Sequence, residues 1–382
     1  MRYNYYGNIV WIVDWVLLII IAITAGAALL YAMTKNYLWE KRRRGLLYIK
    51  RNVYELLLAG SHPSDSACQL FIASITPQQF IDIVTNRSKD AVFFNEAEQK
   101  FLKHCFVTPQ QLARLERIAS HSINKWLRIE AMLCLGYTQK EEAVDMIKRS
   151  LSSGDRDIAY FSMISLGHIR TVGSGRALLK RLKKDTLNSY KIISILEGFP
   201  ESITRDVAEL TGDRDPAVRR NAAMLLSKFD TSHYAKELKR LVRDDSPEVR
   251  AAACDCLAAD RSDKAGAAKM LKECLKDGNW LVRARAVFAL ERLMGAKAVD
   301  EVMDMMNDAS WSVLDALRSV MIAHIEAAIP YIEKFLAGDY DIAKKYAIAA
   351  LQGAALKDMD ALTRDKVSKL LEEIESAAKG KA

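Results

Sequence analysis

The chain has 382 residues, with 56 Lys and Arg against 48 Asp and Glu for a net charge of +8, half of its residues hydrophobic, and only 17 Gly and 7 Pro. Scarce Gly and Pro exclude a loop-rich all-β chain and favour helices, and the length suits an elongated array or two domains better than one compact core. The charge excess is moderate, so its meaning depends on where it lies, and the six cysteines at 68, 105, 134, 254, 256 and 274 lack a framework spacing, which reads as reduced, buried thiol in a reducing compartment.

In chain order, residues 1–8 form a short extracytoplasmic segment and residues 9–33, IVWIVDWVLLIIIAITAGAALLYAM, a transmembrane helix whose single ionisable group is Asp14. Twenty-five residues exceed the roughly 20 that a bilayer core requires. Tyr3, Tyr5, Tyr6, Trp11 and Trp15 lie toward one end and Tyr31, Tyr37 and Trp39 toward the other, where amphipathic rings settle at an interface. Asp14, within two turns of the interface, can snorkel. Arg2 alone precedes the span, whereas Lys35, Lys41, Arg42, Arg43, Arg44, Lys50 and Arg51 follow it. The positive-inside rule therefore places the N-terminus outside and the remainder in the cytoplasm, as a single-pass protein of a bacterial plasma (inner) membrane. Ala25-Gly26-Ala27 resembles a signal-peptidase site, but a signal peptide carries its charge before the apolar run, not after it. Within the basic juxtamembrane segment 34–60, Lys41, Arg42, Arg43 and Arg44 are expected to touch anionic headgroups.

Residues 61–116 read as degenerate helical repeats, in which Thr76-Pro77 and Thr108-Pro109 each look like an N-cap followed by Pro at the first helical position. From 117 to 360 the chain repeats itself. Aligned on Leu127, Ile158, Asn188, Val218, Val249, Val282, Val313 and Ile342, the intervals are 31, 30, 30, 31, 33, 31 and 29. Positions four and eight residues on are mostly small or apolar, which predicts one buried helical stripe. Three residues before each anchor stand Asn124, Asp155, Asp185, Asp215, Ser246, Asn279, Ser310 and Asp339, all residue types that cap helices. Each unit is thus a helix, a turn and a second helix, and a pair of this size can bury its apolar face only against its neighbours. Residues 361–382 form an amphipathic, charged capping helix and tail.

The segments LTGDRDPAVRRNAAMLL (210–226) and LVRDDSPEVRAAACDCL (241–257) resemble HEAT repeats of the short HEAT-like type also found in phycobilisome lyases. The resemblance implies an all-α fold, a right-handed α-solenoid of stacked helix pairs behind the transmembrane helix. It also implies a scaffold that binds protein partners, here membrane-associated ones such as a membrane enzyme or transporter. No cofactor is expected. HEAT-like enzymes form the alternative, either a lyase-like chaperone of a prosthetic group or a DNA glycosylase. The iron-binding His-Glu dipeptides of deoxyhypusine hydroxylase have no counterpart, since none of the histidines at 62, 104, 121, 168, 233 and 324 is followed by Glu. Nucleic acid is not expected as a partner, because acids nearly match bases within the repeats.

Two columns are candidate partner-binding residues. Arg219, Arg250 and Arg283 follow their anchors, with Asp213, Asp244, Asp277 and Asp308 five residues before the anchors. They read either as a ladder that fixes repeat stacking or as a groove for an acidic partner. Trp280, Trp311 and Tyr340 each follow a cap and are expected about 10 Å apart along one edge, as turn staples or as a docking ridge. Cys254 and Cys256 fall inside a second helix, where positions two apart diverge by about 200°, so they are packing residues, not a metal pair.

Overall fold

A computed structural model describes residues 3–85, 92–185, 189–230, 233–260, 262–338, 340–356 and 359–379; the side chains of 3–14 and 377–379 lie outside the description. Among the described residues all regular structure is helical. Anchor Asn188 and cap Asp339 fall outside these residues, as do the side chains of Asp14, Tyr3, Tyr5, Tyr6 and Trp11. The chain divides into two compact units, Met1–Ile169 and Arg170–Ala382, at a point inside the repeat array that no feature of the repeat pattern marks.

The first unit holds α1 (Tyr3–Leu58), α2 (Ser66–Ser74), α3 (Pro77–Val84), α4 (Glu96–Phe106), α5 (Pro109–His121), α6 (Lys125–Tyr137), α7 (Glu142–Lys148) and α8 (Arg156–Ile169). α1 does not stop where the apolar run ends. Residues 15–39 are all exposed, and this is one helix long and apolar enough to cross a membrane. Past the basic run, Leu46, Ile49 and Val53 recur on one face and are buried, where α1 packs on α4. Thr76 closes a capping box with Gln79 at the start of α3, and Asn95 does so with Glu98 at α4. α5 pairs with α6, α7 with α8, and α6 lies between α3 and α8.

The second unit holds α9 (Val172–Lys184), α10 (Ser189–Leu196), α11 (Thr204–Leu210), α12 (Pro216–Leu226), α13 (Ala235–Leu241), α14 (Pro247–Ala259), α15 (Lys264–Cys274) and α16 (Trp280–Met294). It continues with α17 (Ala298–Val302), α18 (Trp311–Ala323), α19 (Ile325–Ala337), α20 (Asp341–Ala355) and α21 (Ala361–Lys379). The second helices α10, α12, α14, α16, α18 and α20 pack in series, each backed by the helix before it, with α21 on α20. This is the stacked-pair arrangement of an α-solenoid. Its core is the stripe expected from the repeat: Val249, Ala253 and Leu257, then Val282, Ala286 and Leu290, then Val313, Leu317 and Met321, all buried.

Two positions depart from the expected register, Ile342 and Leu127. Ile342 is 55% exposed while Ala343, Ala347 and Leu351 are buried, so the stripe of α20 begins one residue later than the alignment placed it. An Ala in place of the usual branched anchor hid this shift. Asp185 is also the C-cap residue of α9 and accepts a hydrogen bond from Arg181, while the N–H groups that it would cap, at 187 and 188, lie outside the described residues. Leu127 is only half-buried, and α6 buries Ile129 and Met132 beside Ala131 and Leu135.

Candidate functional site

Asn124, Asp155, Asp215 and Asn279 each accept backbone N–H groups at the start of α6, α8, α12 and α16. Ser246 and Ser310 make no side-chain cap bond. Instead their own N–H groups donate to Asp244 Oδ1 at 3.0 Å and Asp308 Oδ1 at 2.8 Å. These aspartates are the same ones that receive the arginines. Arg219 Nε and Nη2 donate to Asp244 Oδ2 and Oδ1, both at 2.7 Å. Arg250 repeats the fork on Asp277 at 2.7 and 2.9 Å, and Arg283 on Asp308 at 2.7 and 2.8 Å. Each Nη1 donates back to two carbonyl oxygens of its own turn, for Arg250 those of Asp244 and Asp245.

Four of the five N–H groups of each guanidinium are thereby engaged, and the arginine side chains are only 17–19% exposed. As docking residues for an anion, Arg219, Arg250 and Arg283 are excluded by this donor count; they tie each repeat to the next. The pairing runs from one unit to the following one, so Asp213, the first of the column, is left to Lys183 at 2.5 Å. The fork from Arg283, against burial, holds the Asp308 carboxyl below its ordinary range. At Asp244 and Asp277 burial pushes upward, but the arginine fork and the backbone N–H together keep the carboxyl low.

The aromatic column is open. Trp280 and Trp311 occupy the first positions of α16 and α18 and are 48% and 73% exposed. Tyr340, 62% exposed, sits on the cap position of α20 because of the register shift, one residue off the column but on the same edge of helix N-termini. The ends of α12, α14 and α16 opposite that edge line an open cleft of about 760 Å³, with Glu201, Asp260, Lys228, Lys264 and Arg292 among its polar groups. Arg292 donates to the Asp255 carbonyl at 2.6 Å and Lys228 pairs with Glu197 at 3.3 Å. Sequence reasoning missed this cleft because its lining comes from separate repeats with no shared motif.

The remaining candidates fall elsewhere. Lys41 and Arg44 are exposed on α1, and Arg43 lies over the Trp39 ring at 5.6 Å. Arg42 is exposed as well but tied to the fold: its Nε donates to Asp82 Oδ2 at 2.8 Å and its Nη2 pairs with Asp82 Oδ1. Cys254 and Cys256 are buried and point apart. The Cys254 thiol donates to Arg250 O and the Cys256 thiol to Ala223 O of the preceding repeat. A hydrogen bond with Cys274, then burial, pushes the Cys254 thiol up, and burial does the same to Cys256. His324 Nε2 meets Glu291 Oε1 at 2.9 Å, a pairing across 33 residues that sequence spacing does not reveal.

A family model of HEAT repeats matches residues 188–258, 203–290 and 235–322. A search of curated proteins finds no match. Among solved structures, an engineered protein is similar at 14% identity over 81% of this chain and 99% of that one, with a TM-score of 0.29. Human deoxyhypusine hydroxylase in complex with glycerol is similar at 13% identity, 65% and 97% coverage and a TM-score of 0.28. The complex of CpcE and CpcF of phycocyanin lyase from Nostoc shows 15% identity, 70% and 94% coverage and a TM-score of 0.28. At such identities and TM-scores these likenesses carry no argument for this chain. The family match and the register of caps, ladder and buried stripe together make residues 188–322 HEAT repeats, a fold whose stacked units present protein-binding surfaces.

Proposed function

We propose that this protein is a membrane-anchored scaffold that holds a protein partner against a bacterial plasma (inner) membrane. α1 crosses the bilayer with its N-terminus outside, and the HEAT repeats stand in the cytoplasm, where confinement raises their effective concentration for a membrane-associated partner. The observation that carries the docking role is the row of exposed rings at Trp280, Trp311 and Tyr340. Large exposed aromatics are the side chains that anchor interfaces, and the neighbouring arginines are already occupied within the fold. Neither a catalytic role nor a cofactor is part of this proposal.

The test is affinity purification from solubilised membranes with Trp280, Trp311 and Tyr340 all replaced by Ala. The partner that co-purifies with the native chain should be lost, while helical content measured by circular dichroism stays the same. Retention of the partner would refute the docking role. Topology needs a reporter introduced at an exposed position such as Lys140, because the natural candidate Cys68 is fully buried.

A further inference from the structure

We propose that the turn joining α5 to α6, Ile123 to Trp126, rests in the lipid headgroup layer beside α1 and forms a second contact with the membrane. The inference relies on the reading that α1 crosses a bilayer. It follows from the continuity of α1, whose apolar half runs without a break into the half that packs on α4.

The direction of each helix is given by the order of its contacts. Arg42 meets Asp82, and a Cβ placed on Gly45 would come within 3.0 Å of Gln79 Nε2. Moving up α1 away from its apolar stretch therefore means moving backward along α3, so α3 runs toward the membrane end. The Cys134 thiol donates to Pro77 O at 3.1 Å, while Glu130, four residues earlier, feels the Asp82 charge. This order is again reversed, so α6 runs with α1 and its first turn points toward the bilayer.

The heights follow from helical rise. Trp126 precedes Cys134 by eight residues, about 12 Å, and Asp82 follows Pro77 by five, about 7.5 Å. Trp126 thus lies about 4 to 5 Å nearer the membrane than Asp82, and Ile123 precedes the start of α6 on that side. Measured down α1 from Arg42, that height reaches Trp39, one of the interfacial rings that close the apolar run.

The turn is built for such a place. Ile123 is fully exposed and Trp126 is 60% exposed. Asn124 Oδ1 accepts the Trp126 and Leu127 N–H groups, which satisfies two of the donors at the start of α6. Lys125 lies over the Trp126 ring at 5.8 Å and is held by Asp155 and Asp157 at 2.9 and 2.6 Å, so its cation is paired within the fold beside the apolar tip. Amphipathic rings favour the headgroup region, and a second contact would set the tilt and rotation of the first unit on the surface.

The experiment uses the full chain in vesicles of phosphatidylcholine and phosphatidylglycerol that carry spin-labelled lipid. Ile123→Cys, Lys140→Cys and Leu29→Cys are each labelled with an environment-sensitive fluorophore; the six natural thiols are buried and do not compete. Lys140 is exposed at the far end of α6. The label at 123 should shift to the blue and lose most of its emission to headgroup-level quencher, while the label at 140 does neither and the label at 29 is quenched by deep-placed spin. Quenching at 29 without quenching at 123 overturns the second contact and leaves the span intact. Equal quenching at 123 and 140 also overturns it, since it marks adsorption without orientation. No quenching at 29 overturns the span and the second contact with it.

Discussion

Removing the Arg250 side chain tests whether the ladder holds the repeats together. Arg250 makes a two-point bond to Asp277 and two further bonds to the carbonyls of Asp244 and Asp245, with the paired side chains only 19% and 14% exposed. Hydrogen bonds to charged groups contribute about 1.5–3 kcal/mol, and removing one partner of a fully buried pair costs about 3–5 kcal/mol. Asp277 keeps the Asn279 N–H at 2.8 Å and some water. The expected cost of Arg250→Ala is therefore about 2–3 kcal/mol. In hydrogen exchange of the full chain in micelles, amides of α14 and α16 should open about 30- to 140-fold more often, at 1.4 kcal/mol per decade. Arg250→Ala, Asp277→Ala and the double variant close a cycle whose coupling should exceed about 1 kcal/mol. A coupling near zero would place the pair with ordinary surface ion pairs and refute the ladder as the link between repeats.

Acid should loosen the same contacts. Asp308 has its carboxyl held low by Arg283, so the stabilisation is complete above the unfolded value of about 3.9 and is lost as pH falls through the folded one. Asp308→Asn should be less stable at neutral pH and decline less steeply below about pH 4 when helicity is followed by circular dichroism; an unchanged slope would contradict the assignment. A Cβ on Gly136 would meet the Ser165 backbone at 2.7 Å, whereas one on Gly154 meets nothing within 4 Å. Thermal melts should show Gly136→Ala losing about 1–3 kcal/mol and Gly154→Ala close to native, and equal melts would refute the close approach of α6 and α8.

The repeats were legible in the residues because their signals are local. A cap reaches its own helix N-terminus, as Asn279 does, and an apolar stripe of period 3.6 reads the same in sequence as in space. Val249, Ala253 and Leu257 needed no knowledge of their neighbours to be assigned to one buried face. The apolar run of α1 was likewise plain, since a helix satisfies its own backbone, but its continuation through the basic segment to Leu58 was not. Only the tertiary structure decided what pairs across units. Arg250 lies 27 residues from Asp277 and just six from Asp244, yet the fork goes to the distant carboxylate and only a carbonyl bond to the near residue. That choice depends on how one turn stacks on the next. It turned three candidate docking residues into scaffold, tied Arg42 to Asp82, and left the aromatic edge exposed. In the last repeat packing overrode the alignment: small Ala343 entered the core and larger Ile342 stayed outside, because the space between stacked helices is set by the neighbouring helix and not by the residue that the repeat would place there.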